Sequence, residues 1–259
     1  MKNFFALLTA LVLLAGAAYS QIKTPPQPAE RPKFAASRQM VVVTSADWTS
    51  TAATARRYER GGPRARWKMV GEPFPVLLGR SGMGYGSDTG PLPLTRPDDA
   101  PSKAEGDGRS PAGAFPITSA FGSATKPEHL DFPFTKLESS TECVDDPASS
   151  HYNTIVDRFK VGNFDWKSSE KMLDVGEEYG LGMFVGYNSY PVKRSEGSCI
   201  FLHVWKDDAT PTSGCTSMER RNVEIILSWL ETEKTPYLVQ LTEAEYRRLR
   251  SSWRLPKLK

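Results

Sequence analysis

Beyond residue 20 the chain is written in short runs of β-branched and aromatic residues. Glycine or proline closes nearly every run, and the sequence holds 20 of each. Such punctuation leaves little room for long helices and suits strands of a few residues joined by turns. "QMVVVTS" (39–45), "RWKMVGEPFPVLLG" (66–79), "AFPITSAF" (114–121), "YNTIVD" (152–157), "LGMFVGYN" (181–188), "CIFLHVW" (199–205) and "PYLVQL" (236–241) all read this way. "RSGMGYGSDTGPLPL" (80–94) reads as a flexible connection, because its glycines do not make a dinucleotide fingerprint and no helical pattern follows. Helical signals are fewer. "SSEKML" (168–173) suits one turn capped by Ser168 or Ser169. "TSMERRNVEIILSWLE" (216–231) has Thr216 and Glu219 at capping-box spacing and an apolar stripe of Met218, Ile225, Ile226, Trp229 and Leu230. "LTEAEYRRL" (241–249) repeats the start at Thr242 and Glu245. The expected fold class is mainly β, a sandwich or partly closed barrel with a few short helices, one of them directly after Cys215.

The first residues bear on compartment. "MKNFFALLTALVLLAGAAYS" (1–20) has one basic residue, an apolar run from Phe4 to Ala15, and Ala18 and Ser20 placed like the −3 and −1 positions of a signal-peptidase site. The run is short for a membrane span, so a cleaved secretory signal is expected. Residues 21–37, rich in proline and lysine, read as a disordered lead-in. Residues 38–259 suffice for one good-sized core. The formal charge is +3 with both signs interspersed, which gives no footprint for nucleic acid. The mature protein is expected outside the cytoplasm, periplasmic or associated with the cell wall, with no stable membrane span.

The chemistry concentrates in "HVWKDDATPTSGCTSMER" (203–220). Alternation puts Ile200, Leu202 and Val204 on one strand face and Phe201, His203 and Trp205 on the other. A loop with Pro211 and Gly214 turns back to Cys215, at the predicted helix start, where unpaired N–H groups and the dipole lower a thiol pKa. A nearby imidazole would accept the proton, and backbone N–H groups around Cys215 would serve as an oxyanion hole. Three cysteines form an odd set. The favoured pair is Cys143 with Cys199, on the functional ground that it leaves Cys215 free. A Cys199–Cys215 bridge is the alternative and would abolish this chemistry.

A histidine followed by Thr212, Ser213, Gly214 and Cys215 resembles the L,D-transpeptidase catalytic domain (YkuD-like) family, whose pattern is His, a short loop, then Ser/Thr-x-Gly-Cys. Upstream, "KAEGDGRSPAGAFPI" places Ser110, Pro111, Gly113 and Phe115 in register with the family's Thr-Pro-x-Gly-x-Phe. The resemblance covers roughly Arg38 to Leu241. The chain departs from the family by lacking His-Gly-Cys and the arginine that soon follows the cysteine; Arg220 and Arg221 come a turn later.

The resemblance implies an exported acyltransferase acting on peptidoglycan stem peptides. Cys215 is the nucleophile, His203 the general base, the Ser213 carbonyl orients His203, and Gly214 allows close approach of substrate. Thr216, Arg220 and Arg221 are candidates for substrate binding. It implies 3–3 cross-linking through a thioester between a donor tetrapeptide and an acceptor amine, with no metal or organic cofactor. An L,D-carboxypeptidase or endopeptidase with the same site, or a non-catalytic wall-binding homologue, are the alternatives. A thiol redox protein ranks last, for want of Cys-x-x-Cys.

Overall fold

A computed structural model describes residues 34–86, 96–128 and 130–258; the expected signal, most of the lead-in and part of the 80–94 connection lie outside them. In chain order the strands are β1 (Gln39–Ser45), β2 (Ala52–Glu59), β3 (Lys68–Leu77), β4 (Met83–Tyr85), β5 (Ser110–Gly122), β6 (Phe134–Lys136), β7 (Thr141–Val144), β8 (Ile155–Asp157), β9 (Ser169–Lys171), β10 (Leu181–Val185), β11 (Phe201–Val204), β12 (Thr216–Met218) and β13 (Tyr237–Thr242). The α-helices are α1 (Arg158–Val161), α2 (Arg220–Trp229) and α3 (Glu243–Leu249), and a 3-10 turn spans Gly176–Tyr179. Among the described residues no helix is long and apolar enough to cross a membrane.

Eight strands close into a ring in the order β10, β11, β12, β3, β2, β1, β13, β5, and β5 pairs again with β10. Closure removes the open edges that a flat sheet would expose. The long β5 makes this possible: residues 113–116 pair with β13 and residues 117–122 with β10, while β4 and β6 add parallel to it. β1 is buried along its whole length, between β13 in parallel and β2 antiparallel. Pro73 and Pro75 are tolerated in β3 because its far side meets β12 only at Leu77, so no ladder bond is forfeited.

The alternation in "CIFLHVW" separates two cores. Ile200, Leu202 and Val204 join the main apolar cluster, whereas Phe201 joins a smaller one with Phe121, Cys143, Tyr179, Phe184, Cys199 and Cys215. A three-stranded sheet, β8-β7-β9, supplies part of that second cluster.

Several expectations give way to tertiary contacts. "SSEKML" is strand β9, since Glu170 pairs with Cys143 on β7. The strand in "YNTIVD" begins only at Ile155, after Asn153 adopts a φ of 62°. Within the supposed flexible connection, Met83–Tyr85 forms the buried strand β4. Phe34 belongs to the main core and packs edge-on against Trp253, so the lead-in is ordered before Arg38. Helix α3 starts as its sequence suggests, with Thr242 Oγ1 accepting from the Glu245 N–H at 3.2 Å. Helix α2 does not: β12 intervenes between Cys215 and the helix, and its N-cap, Glu219, makes no side-chain capping bond.

Candidate active site

Cys215 sits at the end of a turn held from three sides. The Thr212 N–H donates to the Leu78 carbonyl at 3.0 Å and the Arg80 N–H donates to the Thr212 carbonyl at 2.8 Å, docking the turn on the end of β3. Thr212 Oγ1 donates to the Cys215 carbonyl at 2.6 Å and accepts from the Gly214 N–H at 3.1 Å. Ser110, the first residue of β5, donates to the same carbonyl at 2.9 Å while accepting from the Gly79 N–H at 2.9 Å. The two sequence motifs therefore meet at one atom. Gly79 is required there, because a Cβ would lie 2.3 Å from the Gly108 carbonyl oxygen. Behind the turn, Gln240 accepts from Thr216 Oγ1 at 2.7 Å and donates to the Pro111 carbonyl at 3.0 Å.

The sulfur is enclosed. Cys215 is a free thiol, 7% exposed. Sγ accepts from the Phe201 N–H at 3.3 Å and donates to the Cys199 carbonyl at 3.4 Å. Burial pushes its pKa up, and the Glu170 charge adds to that. This reverses the expectation of a thiol acidified by a helix N-terminus. The Gly214 N–H is engaged by Thr212 Oγ1, so oxyanion stabilisation would have to come from other donors.

His203 lies on β11 in register with Ser217 on the parallel strand β12. Its Nδ1 faces the Val204 carbonyl at 2.7 Å. This carbonyl takes the orienting position that the resemblance gives to Ser213, whose own hydroxyl accepts from Arg80 at 3.1 Å. Burial lowers the imidazole pKa to about 4, so His203 is neutral at pH 7. No hydrogen bond joins imidazole and thiol. Instead, both border one cavity of about 520 Å³, together with Arg80, Lys103, Glu105 and Glu170.

The three-stranded sheet forms the other wall. Cys143 on β7 is bridged to Cys199, so Cys215 keeps its thiol. Sequence reasoning missed Tyr179 and Glu170. The Tyr179 hydroxyl donates to Glu170 Oε2 at 2.7 Å, and its ring shares the smaller apolar cluster with Cys215. Its ring lies edge-on to His203 at 5.2 Å. The one available signal was an acidic strand residue flanked by serine and lysine, which gives no hint of burial.

Thr216, Arg220 and Arg221 stand apart from this cavity. Thr216 is buried on Gln240, Arg220 pairs with Glu177 at 2.7 Å, and Arg221 is exposed. Asp146 and Asp207 spend their carboxylates on loop N–H groups. Among the described residues no group of three or more His, Cys, Asp or Glu side chains is arranged to hold a metal ion.

With this geometry in place, comparison with known families is decisive on class. The family described as the L,D-transpeptidase catalytic domain (YkuD) matches residues 41–239. The chain belongs to that family. Comparison with curated proteins and with solved structures gives no match.

Proposed function

We propose that this protein is an exported L,D-transpeptidase that cross-links peptidoglycan stem peptides through a thioester on Cys215. The observation that carries the reading is the free thiol of Cys215, pinned by both family motifs and opening on a cavity it shares with His203. Cys215 Sγ attacks the carbonyl carbon of the diamino acid at the third stem position. The C–S bond forms, the C–N bond to the terminal D-alanine breaks, and His203 carries the thiol proton to the departing amine. An acceptor amine then attacks the thioester, a new amide forms, and the thiol regains a proton. A neutral thiol beside a neutral imidazole suits transfer of the proton during attack rather than before it. Nδ1 facing a carbonyl leaves the Nε2 lone pair as the basic one. Arg80, Lys103 and Lys206 on the cavity, with Glu105 and Glu170, suit a peptide bearing both carboxylates and an amine.

Export is supported by the N-terminal apolar run and by the Cys143–Cys199 bridge, which persists in oxidising compartments. The site of action is the periplasm or the wall. The test is incubation of the mature protein and its Cys215→Ala variant with tetrapeptide muropeptides. Wild type yields dimers with release of D-alanine, and the variant loses about 10⁴-fold or more in turnover while staying folded. Trimmed monomers without dimers would reassign the enzyme to L,D-carboxypeptidase, and unchanged turnover in the variant would remove Cys215 as nucleophile.

A further inference from the structure

One hydroxyl at the floor of the cavity has no protein partner. Ser217 is 1% exposed, and its Oγ makes no hydrogen bond among the described residues. Its backbone is fixed on both sides. Across the parallel ladder with β11 it is in register with His203, and across the antiparallel contact with β3 it faces Leu77. Alternation along β12 sets the direction of its side chain. Thr216 turns to Gln240 and Met218 joins the main core, so Ser217 stands on the other face and lines the cavity. A buried hydroxyl left unpaired carries the cost of desolvation with no bond to offset it. A partner that arrives with the substrate supplies that bond.

The neighbours of Ser217 identify the partner. Along the chain it is the next cavity-lining residue after Cys215, and across the strands it lies beside His203. Its hydroxyl therefore stands at the corner between thiol and imidazole, which make no hydrogen bond with each other. Phe201 takes the opposite corner. Its N–H holds Cys215 Sγ at 3.3 Å, and its ring packs on Phe121 and Tyr179, so that corner offers substrate no polar side chain. The carbon that bonds to sulfur bridges the gap toward the imidazole, and the nitrogen it loses or gains lies at the His203 end. Nδ1 of His203 is engaged by the Val204 carbonyl, which leaves Nε2 to exchange protons with that nitrogen.

We propose that Ser217 is a catalytic residue whose Oγ accepts a hydrogen bond from the reacting nitrogen at both stages of acyl transfer. This deepens the transpeptidase reading and rests on it. In the first stage the C–S bond forms, the C–N bond to D-alanine breaks, and the thiol proton reaches the departing nitrogen through His203. The hydrogen already on that nitrogen points to Ser217 Oγ, which turns the nitrogen lone pair toward Nε2. In the second stage the acceptor amine takes the same place. One N–H donates to Ser217, another gives its proton to His203, and the lone pair attacks the thioester carbon. The C–N bond forms, the C–S bond breaks, and His203 returns the proton to sulfur. Ser217 gains and loses no proton in either stage.

The test removes the N–H from one side and the hydroxyl from the other. Two donors are compared: a tetrapeptide muropeptide ending in D-alanine, and its analogue ending in D-lactate, where an ester oxygen replaces the leaving N–H. The rate at which the acyl-enzyme mass appears on Cys215 is measured in a single turnover for wild type and Ser217→Ala. On the amide donor the variant is expected to be slower by about tenfold to a hundredfold, the range for a hydrogen bond to a group developing charge. On the ester donor the two proteins should acylate at nearly the same rate. Thermal melts should place the variant at or above wild type, because the resting hydroxyl holds nothing together. Equal slowing on both donors would overturn the inference and move the hydroxyl to the carbonyl oxygen. An unslowed amide reaction would also overturn it, and so would a lower melting midpoint, which marks a structural role. Absence of acyl-enzyme from both donors in wild type would sink the proposed function, and this inference with it.

Discussion

The barrel and the three-stranded sheet that walls its cavity solve different problems. At the Cys215 turn the barrel supplies hydrogen bonds from Ser110 and Thr212 to the Cys215 carbonyl, so its position is over-determined. The small sheet does the opposite. It encloses Glu142, which accepts from Trp166 Nε1 at 2.8 Å and Ser169 Oγ at 2.7 Å, and it carries Glu170 to the cavity that Cys215 borders, while leaving Phe159, Phe164 and Leu173 exposed. One region fixes Cys215 in place; the other brings the carboxyl of Glu170 to the same cavity. A rigid frame with a tunable wall keeps geometry and electrostatics separately adjustable.

The strongest way to break this division is to unfasten the wall. The Cys143–Cys199 bridge closes a separation of 56 residues. Replacing both cysteines with alanine is expected to cost on the order of 4 kcal/mol. Denaturant melts measure the loss, and turnover should fall even at temperatures where the barrel persists. Next comes pH. His203 on the barrel has its pKa lowered to about 4, so its stabilising contribution is lost as pH falls from about 6.5 to 4. Glu170 on the wall has its pKa raised to about 7, so its contribution is lost as pH rises from about 4.5 to 7. The two slopes oppose each other. Glu170→Gln should make stability rise with pH over 4 to 6.5, and His203→Gln should make it fall over 4.5 to 7, each by about 2 kcal/mol. Melts of both variants across that range test the signs.

Smaller effects sharpen the frame. Ser110→Ala orphans the Gly79 N–H and one bond to the Cys215 carbonyl, with an expected loss of about 1–2 kcal/mol in denaturant melts. Turnover of the same variant should fall about tenfold, as the nucleophile drifts from its attack position. Arg220→Ala removes an exposed ion pair outside the cavity and should change stability by less than about 0.5 kcal/mol, with kcat/KM unchanged.

The barrel was legible because its strands are buried apolar runs whose period declares them: β1, β11 and β13 fall where alternation and β-branching put them. The cysteine turn and the Ser-Pro strand were legible as motifs, though not as partners, since the hydroxyl of Ser110 reaches a carbonyl 105 residues away. The wall was illegible for a physical reason. Glu142 and Glu170 read as solvent-facing residues, and only long-range contacts bury Glu142 under Trp166 and turn Glu170 inward onto Tyr179. The capping-box spacing at Thr216 misled because that hydroxyl has a better acceptor in Gln240, which holds Thr216 in a strand.

That glutamine has a meaning beyond packing. It receives a proton-bearing hydroxyl at one end and offers an N–H to a carbonyl at the other, joining the strand after Cys215 to the strand of the Ser-Pro motif. Glutamate would present two acceptors and strand the Pro111 carbonyl; leucine would satisfy neither end. Position 240 therefore works as a lock that only a primary amide fits, and any attempt to graft either motif into another barrel must carry this third residue with it.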